Sequence, residues 1–249
     1  MRRETRTNLR RARSELGKCA ATVSARVKPL SAADREKLIG VGTARDWVRW
    51  GASLNGLSFG TKSERRSARA QGIEESIRFN QMWTATNALF ARDPILAGMT
   101  GAVNLPAREL QRFTVLYNFA TVDPAVETQC LTTLKQLLSM ECNAADVTPI
   151  INPGGNPTMW EVIDQKYSRP QDRARGIGRI ITAALNAATA PNPSAPILIY
   201  GARNWAVHGM LLTSFFRGSR QKYLTFIDNI TLLLSMVLRG AATNLLPII

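Results

Sequence analysis

The sequence predicts an all-α protein: a helical bundle preceded by a basic helical extension. Nearly every long segment repeats its apolar residues at spacings of three and four, and no stretch alternates at period two for long enough to pair into a sheet. Clusters of Pro, Gly and Ser separate the periodic segments, as they do where helices are joined by turns. The 249 residues, 45% of them apolar, suffice for one large domain, or for a domain of about 150 to 200 residues with an extension.

Residues 1 to about 28 read as a basic helix, with Arg2, Arg3, Arg6, Arg10, Arg11 and Arg13 spread round most of its circumference. Such a segment is either a solvated arm or a nucleic-acid contact. Pro29 breaks the chain. Ser31 then caps a helix with Asp34 in its first turn, near the positive end of the dipole. That helix carries Leu38, Val41, Trp47 and Trp50, and Gly40 and Gly42 weaken its middle. The stretch "GASLNGLSFGTKS", 51 to 63, reads as a linker, which divides the chain into an extension at 1–60 and a bundle at 61–249.

From Gly72 to Arg92 the apolar positions Ile73, Ile77, Met82, Trp83, Leu89 and Phe90 predict a strong helix that Pro94 ends. Helices at about 106–120 and 123–141 follow, the second with Asp123 as cap and Pro124 at its first position. "TPIINPGGNPT", 148 to 158, is a loop, and 170–190 is a second basic amphipathic helix. After "APNPSAP", 190 to 196, come a helix from about Ile197 to Phe216 and a last one over about 219–240.

A surplus of 32 Lys and Arg over 18 Asp and Glu gives a net charge of +14. Such a field concentrates polyanions, so RNA, DNA and anionic membrane are the candidate partners. Membrane is the weakest of these, because no apolar run approaches the roughly 20 residues of a spanning helix. Leu232 to Leu238, interrupted by Ser235, reads as a core helix. The N-terminus lacks the apolar segment of a secretory signal, and Glu4 and Glu15 argue against an organellar transit peptide. Cys19, Cys130 and Cys142 are odd in number and widely spaced, which points to a reducing, cytoplasmic setting with inert thiols. A single histidine and no paired cysteines offer no zinc site, and no metal or cofactor is expected.

That histidine, His208, lies in "YGARNWAVHG", residues 200 to 209. The helix there has an apolar seam at Leu198, Ala202, Trp205, Gly209, Leu212 and Phe216, spaced four, three, four, three, four. His208 is off the seam, on a stripe with Asn204 one turn before it. Asn204 is therefore placed to hydrogen-bond the imidazole and fix its orientation. Arg203 precedes His208 by five positions, about 140° round the helix, so the two flank a groove in which a substrate phosphate fits.

These residues resemble a known family. "RNWAVH" is similar to the R-x4-H motif of HEPN domains, in which a polar residue follows the arginine. "GMLL", the basic turn "RGSRQK" and the closing "FIDNITLLLSMVL" are similar to the end of such domains, and "RFNQMWTATNALF" to their long first helix. The resemblance covers about residues 65 to 249 and leaves the first 60 unmatched.

It implies a metal-independent endoribonuclease, commonly a toxin or antiviral effector, although some members only bind. The RNA 2′-hydroxyl is an intramolecular nucleophile toward its own phosphodiester, so proximity already supplies much of the rate. His208, with an unperturbed pKa of about 6.5, would move the proton. Arg203 would offer a planar donor fork to the non-bridging oxygens. Asn204 would hold the imidazole or contact the phosphate. The expected products are a 2′,3′-cyclic phosphate and a free 5′-hydroxyl.

Cleavage of this type benefits from both an acid and a base, and with one histidine per chain the family's answer is a homodimer whose two motifs face each other across a two-fold axis. Arg217, Arg220 and Lys222, with Arg173, Arg175 and Arg179, are candidates to track RNA phosphates, or else form a solvated basic face. Trp205 on the seam reads as core. Asn87 is a further candidate for the cleft by analogy with the family. An inhibitory antitoxin or a sensor is a further possible partner. Two other readings compete: a non-catalytic RNA-binding or packaging protein that uses its N-terminal arm, and a regulatory module that binds another protein.

Overall fold

The computed structural model describes residues 1–26, 28–54, 67–140, 158, 195–208 and 220–249. Among them are eight α-helices and no strand: α1 Arg3–Ser24, α2 Ala32–Ser53, α3 Ala68–Phe90, α4 Asp93–Thr100, α5 Glu109–Ala120, α6 Pro124–Leu138, α7 Ala195–His208 and α8 Arg220–Leu245. The linker expected at 51–63 therefore begins no earlier than Leu54, because Gly51–Ser53 close α2. The expected loop at 148–158, apart from Thr158, the basic helix at 170–190 and the second half of the motif helix lie outside the described residues.

The chain forms two compact units. The first comprises Met1–Asn55, Ile77–Asp123 and Thr231–Ile249; the second comprises Gly56–Ser76 and Pro124–Ile230. This division differs from the 60/61 boundary drawn from linker composition. The reason lies in α1. Leu9, Ala12, Leu16, Cys19 and Val23, spaced three, four, three, four, form a wholly buried seam that the count of arginines had obscured. Arg3, Arg6, Arg10, Arg11 and Arg13 are exposed and leave that face free, so they do not ring the helix as the sequence suggested.

Polar contacts fix α1 against α8. Asn8 donates its Nδ2–H to the Ser235 hydroxyl at 3.1 Å, and Arg239 donates to Asn8 Oδ1 at 3.2 Å. Ser235, which interrupts the apolar run of α8, is itself fully buried and donates to the Leu232 carbonyl. Around it Leu233, Leu234, Val237 and Leu238 have no exposed surface. By length and composition Gln221–Leu245 is apolar enough to cross a membrane, which the run-by-run reading missed because Thr, Asn and Asp are scattered through it; 67% of its most apolar window is buried within the protein.

The predicted start of α2 is present: the Asp34 N–H donates to Ser31 Oγ at 3.0 Å and the Ser31 hydroxyl donates back to the carboxylate at 2.9 Å. That hydroxyl, assisted by Arg26, holds the Asp34 carboxyl below its ordinary range. Gly40 is required rather than tolerated. A Cβ there would stand 2.7 Å from Ile95 Cδ1 and 2.9 Å from the Ala88 carbonyl oxygen.

Part of the core of this unit is aromatic. Trp83, Phe90, Phe113 and Tyr117 stack in tilted and edge-on pairs with centroids 4.9 to 6.3 Å apart. Pro94 does not simply end α3; it sits in the first turn of α4, a short helix the sequence reading passed over. Two arginines satisfy carbonyls that helix ends leave over. Arg112 donates to the carbonyls of Phe90, Ala91 and Pro106 and pairs with the Asp93 carboxylate. Arg78, fully buried, donates to the carbonyls of Gly51 and Leu54.

Candidate functional site

The motif residues belong to the second unit. α7 starts with Ala195 and Pro196, where the missing proline N–H costs no intrahelical bond. It then buries Leu198 (1% exposed), Ile199 (0%), Tyr200 (7%) and Ala202 (2%), so Leu198 and Ala202 of the predicted seam are core. These residues pack the first half of α7 into its unit.

Arg203, Asn204 and His208 are all in α7, with His208 its last described residue. The backbone is helical throughout, so Asn204 and His208 are one turn apart and Arg203 is about 7.5 Å from His208 along the axis. Arg203 is half-buried, and its guanidinium carbon is 5.8 Å from the centroid of the Tyr200 ring, one turn back. A cation over a ring face is attracted by the negative potential of that face. Tyr200 is a neighbour the sequence reading did not single out, although an aromatic three positions before an arginine on a helix was a signal for it. The side chains of residues 204–208, Trp205 among them, lie outside the described residues.

Of the candidate RNA contacts, Lys222 is half-buried in the first turn of α8, and Arg220 is the first residue of that helix. Arg173, Arg175, Arg179 and Arg217 lie outside the described residues. Next to Lys222, Tyr223 is 4% exposed and shares a short hydrogen bond with Ser76, whose hydroxyl also reaches the Gly72 carbonyl at 2.7 Å. A Cβ on Gly72 would approach Tyr223 Cε1 to 2.8 Å, so the glycine admits the ring. Burial raises the Tyr223 pKa, against the opposing effect of the Ser76 hydrogen bond. Nothing in the linear pattern pairs Ser76 with a residue 147 positions away.

Asn87 belongs to the first unit, where it lines an open groove of about 380 Å³ with Gly40, Thr43, Thr84 and Arg92.

Comparison with protein-family models, with curated proteins and with solved structures returns no match.

The chemistry available to the chain is therefore read from its own residues. α7 carries Arg203, Asn204 and His208 on one continuous helical backbone.

Proposed function

We propose that the protein is an endoribonuclease of the HEPN type that cleaves RNA without a metal, in a homodimer whose two motifs share one cleft. The observation that carries the reading is the run of α7 from Tyr200 to His208, in which one unbroken helix bears Arg203, Asn204 and His208 and sets the Arg203 guanidinium 5.8 Å from the Tyr200 ring. The all-helical architecture and the net charge of +14 support it.

In the proposed reaction the ribose 2′-hydroxyl attacks the adjacent phosphorus, the P–O5′ bond breaks, and a cyclic phosphate and a 5′-hydroxyl result. Arg203 bears the charge that accumulates on the non-bridging oxygens. One His208 of the dimer takes the 2′-proton and its partner's copy gives a proton to the leaving 5′-oxygen, a division of labour that one imidazole per chain allows only across a two-fold axis. Asn204 orients the imidazole. Lys222 and Arg220 meet the RNA backbone. DNA binds but is not cut, because it lacks the nucleophile.

Incubation of the purified protein with mixed RNA in EDTA tests this. Fragments with 2′,3′-cyclic phosphate ends are expected. RNA that is bound and left intact would instead favour a protein that only binds it.

A further inference from the structure

The structure sorts the arginines by what they do. Arg78 and Arg112 satisfy helix-end carbonyls, Arg239 holds Asn8, and Arg26, Arg45 and Arg92 stand beside Asp34, Asp46 and Glu36. A second group is exposed and has no ion pair or side-chain hydrogen bond within the described residues: Arg3, Arg6, Arg10, Arg11 and Arg13 of α1, Arg35 and Arg49 of α2, and Arg108 just before α5; all but Arg108 are on the α1–α2 hairpin. From these we infer that the outer face of the α1–α2 hairpin is a binding surface for the phosphate backbone of RNA.

The placement follows from the helical register. Arg3, Arg6, Arg10 and Arg13 are spaced three, four, three and form one stripe. α1 turns Asn8 and Cys19 toward α8, where Asn8 meets Ser235 and the Cys19 thiol meets the Ala242 carbonyl. At 3.6 residues per turn the stripe lies on the opposite side from these two. α2 turns Gly40 and Gly51 toward α3, against Ala88, Gln81 and Met82, and Arg49 is likewise opposite them. Both sets therefore look outward from the same hairpin.

The chemistry selects a polyanion with phosphates in a row. From Arg3 to Arg13 the stripe is about 15 Å long at 1.5 Å per residue, enough to pass several phosphates of a strand. Its cations are all arginine, whose planar fork matches phosphate in a bidentate way that lysine does not. The two carboxylates of α1, Glu4 and Glu15, are off the stripe, and Glu15 is paired with Lys18 at 2.8 Å. A lipid surface is a poorer match. An interfacial helix needs its apolar face free, and that of α1 is wholly buried at Leu9, Leu16 and Val23. The surface belongs to the first unit and the motif helix to the second, and the surface does not depend on cleavage: a protein that only bound RNA would use the same face.

The test measures binding of a fluorescent 2′-O-methyl RNA, which cannot be cut by 2′-hydroxyl attack, to the full chain and to the quadruple variant R3Q/R6Q/R10Q/R13Q. The double variant R11Q/K18Q, off the stripe, controls for bulk charge, and thermal melting of each variant controls for folding. The quadruple variant is expected to bind at least tenfold more weakly, with a salt slope shallower by about 3, four contacts at roughly 0.7 each. The double variant should stay close to wild type. Unchanged affinity and slope in the folded quadruple variant would overturn the assignment. So would equal losses per charge in both variants, or wild type that binds phosphatidylserine vesicles and not this RNA.

Discussion

Arg78 donates its Nε–H to the Gly51 carbonyl at 3.0 Å from a side chain with no exposed surface. Through a second donor it holds the Leu54 carbonyl at 2.6 Å, so one residue of α3 closes the end of α2. Arg78→Ala is expected to lower stability by about 2 to 4 kcal/mol, the cost of stranding buried carbonyls and leaving a cavity. Arg78→Lys should recover only part of it, since an ammonium cannot reproduce the fork. Denaturant midpoints of the two variants check both statements.

Asn8 joins α1 to α8 through Ser235 and Arg239. Asn8→Ala leaves the buried Ser235 hydroxyl without this donor, and a loss of about 1 to 3 kcal/mol is expected. A Thr243→Ala change, at an exposed position of the same helix, should move the midpoint far less.

Gly240 lies against the end of α5: a Cβ there would fall 1.8 Å from the Ala120 carbonyl oxygen. Neither helix backbone can yield that far, so Gly240→Ala should destabilise by about 3 kcal/mol or more. Soluble yield and melting temperature report it.

Burial, with Glu15 nearby, raises the Cys19 thiol from 9.0 to about 11. A raised pKa means that the folded state holds the proton more tightly, so this contribution to stability is complete below 9.0 and is lost as pH rises toward about 11. Native protein at pH near 8 should therefore leave Cys19 unalkylated by iodoacetamide, as well as the buried Cys130, while unfolded protein reacts at both. Mass spectrometry of the modified peptides checks it.

Much of the fold was legible where periodicity and capping act locally. Ser31 caps α2 as expected, and Met82, Trp83, Leu89 and Phe90 are core. What escaped depends on partners distant in sequence. Gly40 reads locally as a weak point in a helix and is required by Ile95. Arg78 carries no local sign of its role, and it is buried with its donors on the Gly51 and Leu54 carbonyls. Asn8 and Ser235, 227 positions apart, carry no sign of each other. Charge composition likewise cannot separate arginines that cap helices from those left facing solvent. At the candidate site, the R-x4-H spacing and the helix that bears it were visible in the sequence, whereas the approach of Arg203 to the Tyr200 ring needed coordinates.

The homodimer reading makes its own prediction. Specific activity per chain should fall on dilution in step with dissociation followed by light scattering or sedimentation, because each cleft draws its second imidazole from the other protomer. A dilute monomer with full activity per chain would rule out the shared cleft.

The central claim is tested most directly by comparing Arg203→Ala and His208→Ala with wild type on one RNA in EDTA, after melting curves show that all three fold. Loss of cleavage in both variants, by a factor of about 100 or more, with RNA binding retained, is the predicted result. Cleavage at the wild-type rate in either folded variant would contradict the assignment of chemistry to α7.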